Sequence, residues 1–131
     1  MRFTYLIAAA CLAATPAIAQ DGDVGKALYG QYCASCHGDD GTGTGPMAEY
    51  LNVKPADLTG LAAANDGEFP MLKAIHIIDG RTGVRAHGGP MPVFGEVFME
   101  QGGHGAPYYT DVLATRGRVL SLATYLESLQ K

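Results

Sequence analysis

Apolar positions along this chain recur at helical spacing and break off at glycines. Phe69, Leu72, Ile75 and Ile78 follow at intervals of three, which predicts a helix over Glu68–Asp79 stopped by Gly80. Val119, Leu122, Ala123, Leu126 and Leu129 share one face of a final helix over Val112–Leu129, with Thr110 or Asp111 as its cap and Gly117 weakening its first half. Leu28, Tyr29 and Tyr32 give an earlier helix over Val24–Cys33 behind an Asp23 cap. One or two helical turns are expected over Leu58–Ala64 after Asp57, and a short helix over Val93–Gln101. Arg81–Gly95 and Gly102–Pro107 read as loop, as does the polar run His37–Pro46, which has no apolar face to bury and must wrap something already structured. No run alternates with period two, so the expected fold is all-α.

The N-terminus has a different pattern. Arg2 precedes the apolar run Phe3–Ala14 and the small-x-small ending Ala17-Ile18-Ala19, the layout of a secretory signal peptide over residues 1–19 cleaved before Gln20. The run is shorter than the ~20 residues of a spanning helix. Cys11 lies within it after Ala8-Ala9-Ala10, without the large apolar residue that a lipidation site would show, and is expected to be removed. The mature chain, residues 20–131, is expected to be a single domain carrying two cysteines.

Composition adds a constraint on the core. With 18 glycines and 7 prolines against 4 Phe and no Trp, the chain has much loop and few large core-filling side chains. A buried prosthetic group would supply the missing apolar volume. The net charge of -4, with no Lys/Arg cluster, excludes a nucleic-acid footprint and favours partners with a positive docking face.

The candidate chemistry sits in Cys33-Ala34-Ser35-Cys36-His37. Thiols at i and i+3 followed by histidine form the c-type haem attachment pattern, in which Cys33 and Cys36 bond the two vinyl groups and neutral His37 ligates the iron. Three other readings fit less of the chain. A thioredoxin-type pair needs a βαβ context, a zinc site needs four ligands, and a Cys33–Cys36 disulfide leaves His37 unexplained. For the sixth iron position the choice is Met91, in Pro90-Met91-Pro92, where flanking prolines limit the loop's conformations and a soft thioether raises the potential. His87, four residues earlier, is the alternative. Met47, Met71, Met99, His76 and His104 have ordinary packing or solvation explanations.

With these residues in order the mature chain resembles the small class I cytochrome c family. Gly25 and Tyr29 match its glycine and aromatic before the haem motif, TGTGP matches its following loop, and Met91-Pro92-Val93-Phe94 matches its Met-Pro-x-Phe element. The resemblance implies three to five short helices wrapped around one covalent haem c. It also implies a crossing of first and last helices with Gly25 receiving Tyr125, and a Pro46 carbonyl that accepts from the Nδ1–H of His37. Two departures stand out. Met99–Pro107 is an insertion-like stretch, and the tryptophan that contacts a haem propionate has no counterpart, leaving Arg81, Arg85, Tyr50 or Asn52 for that work. The expected function is a periplasmic, monomeric one-electron carrier, not an enzyme, serving exported or membrane-bound redox proteins. Alternatives are the haem-bearing subunit of a periplasmic dehydrogenase and a ligand-binding haem protein with a vacant sixth position.

Overall fold

A computed structural model describes residues 19–80, 91–102 and 107–131. Among the described residues there are five helices: α1 (Ala19–Tyr32), α2 (Ala34–His37), α3 (Met71–Asp79), α4 (Phe94–Glu100) and α5 (Tyr108–Ser128), with 3₁₀ turns at Ala48–Tyr50 and Ala63–Asn65. Among the described residues there is no strand, as the missing period-two alternation predicts.

The fold is built on the crossing of α1 and α5, and Gly25 makes that crossing possible. A Cβ at Gly25 would overlap the Ser121 carbonyl and lie 2.8 Å from the Tyr125 Cβ, so only glycine allows the two backbones this close. One turn further along α1, the buried Tyr29 ring packs on Tyr125 with centroids 5.3 Å apart, and its hydroxyl donates to the Gly38 carbonyl at 2.6 Å. Helix α4 closes the other end of the core. Phe94 and Phe98 meet Tyr32 edge-on at 5.9 and 5.3 Å, and Gln101 donates to the Tyr32 hydroxyl at 2.8 Å. Arg118 of α5 lies over the Phe98 ring at 6.0 Å and donates to the Phe98 carbonyl at 3.0 Å. Helix α3 lays Ala74 and Ile78 into the same core, and Gly80, at φ 85°, ends it with its N–H on the His76 carbonyl.

Several boundaries differ from the sequence expectation, each for a local reason. Helix α1 begins before Asp23, so Asp23 is an exposed helical residue rather than its cap. Helix α3 starts only at Met71, because a residue before proline is held out of the α region and Phe69 precedes Pro70. Helix α5 starts directly after Pro107, one turn ahead of Thr110 and Asp111; its first turn is exposed, and an apolar periodicity does not register it. Over 58–64 only the 3₁₀ turn Ala63–Asn65 is helical. Asp57 instead accepts from the Thr59 N–H at 2.8 Å and the Thr59 hydroxyl at 2.7 Å, closing a tight turn.

The C-terminus fastens this region to α5. The Gln130 side chain donates to the Leu58 and Leu126 carbonyls at 2.8 and 2.7 Å and accepts from the Ala62 N–H at 2.8 Å, while the Lys131 N–H bonds the Thr59 carbonyl at 3.1 Å.

Candidate cofactor site

Cys33 is the hinge between α1 and α2. Its carbonyl accepts from the Cys36 N–H at 3.1 Å and the His37 N–H at 2.9 Å, and this tight turn brings positions i, i+3 and i+4 to one side. The two cysteines form no disulfide with each other, and both are half-buried. Before attachment, burial and then the neighbouring Cys36 push the Cys33 thiol up to about 11.

The loop after His37 folds back along α2. The Gly43 N–H bonds the His37 carbonyl at 2.7 Å, Gly45 that of Cys36 at 3.1 Å, and Met47 that of Ser35 at 2.8 Å. Gly43, at φ 81°, lies so close to the Pro55–Ala56 backbone that a Cβ would overlap it, and the Leu58 N–H reaches the Gly41 carbonyl at 2.7 Å. Segment 55–58 is thereby drawn across His37, whose Nδ1 lies 2.9 Å from the Ala56 carbonyl oxygen. A carbonyl only accepts, so Nδ1 carries the proton and Nε2 keeps the lone pair.

The orienting carbonyl is therefore that of Ala56, and not the expected Pro46. Pro46 is exposed, at the turn where the loop doubles back on α2. The clue in the sequence was the second proline, Pro55, with the glycines at 41 and 43 making room for its segment.

Cys33, Cys36 and His37 line a cavity of about 340 Å³. Segment 51–56 forms one wall; Ala74, Ile77 and Ile78 of α3, Phe94 of α4 and Leu122 and Leu126 of α5 line much of the rest, together with Met91 and Pro92. Among the described residues Met91 is the one methionine lining it: Met47 is exposed, Met71 and His76 line a separate shallow groove with Leu72 and Lys73, and Met99 lines neither. His87, His104, Arg81 and Arg85 lie outside the described residues, as do most of the signal-peptide segment and residues 103–106 of the insertion. Two thiols, a tautomerically fixed imidazole and a thioether opening on a cavity whose remaining lining is mostly apolar form a donor set that fits a haem c.

A family model for cytochrome c matches residues 23–130, and the chain belongs to the cytochrome c family. It is a haem c electron-transfer protein with one kind of cofactor, a covalently bound iron porphyrin, and it works with redox partners. No curated protein and no solved structure matches the chain. Among the described residues no helix is long and apolar enough to cross a membrane.

Proposed function

We propose that this chain is a periplasmic one-electron carrier, exported by residues 1–19, in which Cys33 and Cys36 attach a single haem and His37 and Met91 are its axial ligands. The observation that carries the reading is that one apolar cavity receives all four of these side chains. When bound, haem c supplies an iron that changes between ferrous and ferric states. The protein's own contributions follow from the described contacts. Ala56 fixes the tautomer of His37 and makes the ring a stronger donor, and the walls from α3, α4 and α5 exclude water, which raises the potential. With His37 and Met91 both holding the iron, no open position would remain for substrate, which would distinguish a carrier from an enzyme or a gas sensor.

The test compares visible spectra of the ferric protein and two variants. Methionine ligation gives a weak far-red charge-transfer band in the wild type that Met91→Ala abolishes and His87→Ala retains. A wild type without the band, or a band lost only in His87→Ala, overturns the ligand assignment. Rapid and complete carbon monoxide binding by the ferrous protein at neutral pH overturns the carrier assignment.

A further inference from the structure

The end of α3 and the start of α4 meet through two glycines. A Cβ at Gly80 would overlap one γ-methyl of Val93 and lie 3.0 Å from the other. A Cβ at Gly95 would overlap the Asp79 carboxylate and lie 2.6 Å from the Asp79 carbonyl oxygen. Close-packed side chains do not approach to such distances, so each glycine permits a contact that alanine would prevent. Gly95 is buried in the first turn of α4, where alanine is the better helix former. Helix propensity therefore does not account for this glycine, and the contact with Asp79 does.

These contacts close a neck. Positions 80 and 93 touch, and the chain between them, which carries Met91, is a loop shut at that point. Met91 is two residues from the closure. Pro92 joins them with φ fixed by its ring, and Val93 is extended, so the path from neck to thioether has little freedom. The neck is also fixed to the core on both sides. Ile78 of α3 and Phe94 of α4, 5% and 7% exposed, flank it and line the same cavity as Met91.

We infer that Gly80 and Gly95 are positioning residues for the sixth iron ligand. By letting α3 and α4 close to contact they hold Met91 at the cavity, and the tightness of this neck governs how often the thioether leaves the iron. The inference rests on the His37 and Met91 reading above and adds what keeps the weaker of the two donors in place. A thioether is a weak ligand, so its residence on the metal depends on the protein that presents it. Opening the neck releases Met91, and an added nitrogen donor then takes the position.

The probe is imidazole, titrated into ferric holoprotein and followed by loss of the far-red band. Imidazole competes with Met91, so its apparent affinity reports the fraction of molecules in which the sulfur is off the iron. Gly95→Ala presses on a backbone carbonyl that cannot swing aside, and is expected to raise this affinity about tenfold. Gly80→Ala presses on a side chain that can turn, and a rise of about threefold is expected. The milder variant carries the test if Gly95→Ala does not mature.

Two controls separate the neck from general loosening. Gly67→Ala introduces the same backbone strain as Gly80→Ala, since their φ angles are 87° and 85°, but nothing lies within 4 Å of its added Cβ. Gly25→Ala presses on Ser121 and Tyr125 of α5, away from the neck. Both should lower the urea midpoint and leave imidazole affinity at the wild-type value, because only openings that release Met91 expose the iron. Unchanged affinity in Gly95→Ala and Gly80→Ala, or a rise in either control as large as in Gly95→Ala, overturns the inference, while the far-red band of the wild type keeps the ligand reading intact. A wild type without that band overturns both.

Discussion

A single glycine has opposite consequences at two places in this molecule. At Gly25 a Cβ overlaps the Ser121 carbonyl and crowds Tyr125, so Gly25→Ala forces α1 and α5 apart and is expected to destabilise by about 1–3 kcal/mol in urea unfolding. At Gly117, which is exposed in mid-helix with nothing within 4 Å of the added Cβ, the same change only improves helix propensity and is expected to stabilise by about 0.5–1 kcal/mol. Asp57 provides a pH-dependent case. The side-chain bond from Thr59, then its N–H bond, hold the Asp57 carboxyl below its ordinary value of 3.8. A depressed folded-state pKa gives stabilisation that is fully present above the ordinary value and is lost as pH falls through the folded one. The urea midpoints of wild type and Asp57→Ala should therefore differ at neutral pH and converge on acidification below 3.8.

At the scale of elements, the turn at 58–62 is held to α5 by the side chain of Gln130, which binds three backbone groups. Gln130→Ala leaves part-buried partners unsatisfied and is expected to cost about 1–3 kcal/mol, with faster hydrogen exchange at the Ala62 amide than elsewhere in the molecule. Nothing in the sequence marks this residue, because a lone glutamine after a helix reads as solvated and two of its three partners lie 68 and 72 positions away. The helices themselves were legible. The interval-of-three pattern of Phe69, Leu72, Ile75 and Ile78 located α3, although Phe69 precedes the helix, Leu72 is exposed and Ala74 joins Ile78 on the buried face; the apolar face from Val119 to Leu129 placed α5. The starts of helices were less so, since α5 opens with an exposed turn after Pro107 and α3 waits for Pro70. Apolar periodicity reports buried faces and is silent about an exposed first turn.

For the whole molecule, the attachment pentapeptide made the cofactor class readable, because CxxCH assigns a separate chemical task to each of three positions. The crossing of first and last helices was expected from the family resemblance through Gly25 and Tyr125, and Ser121 joins them at the contact. What could not be read was the carbonyl that orients His37. Pro46 and Pro55 both follow the motif, and only the doubling back of the loop on α2 brings Ala56 rather than Pro46 to the ring.

The central claim is that Cys33 and Cys36 carry the haem. The intact mass of protein matured in a host with haem-attachment machinery tests it most directly. The account predicts the mass of residues 20–131 plus one haem, with neither thiol available to an alkylating reagent. The bare mass of the polypeptide, with both thiols reactive, would contradict it.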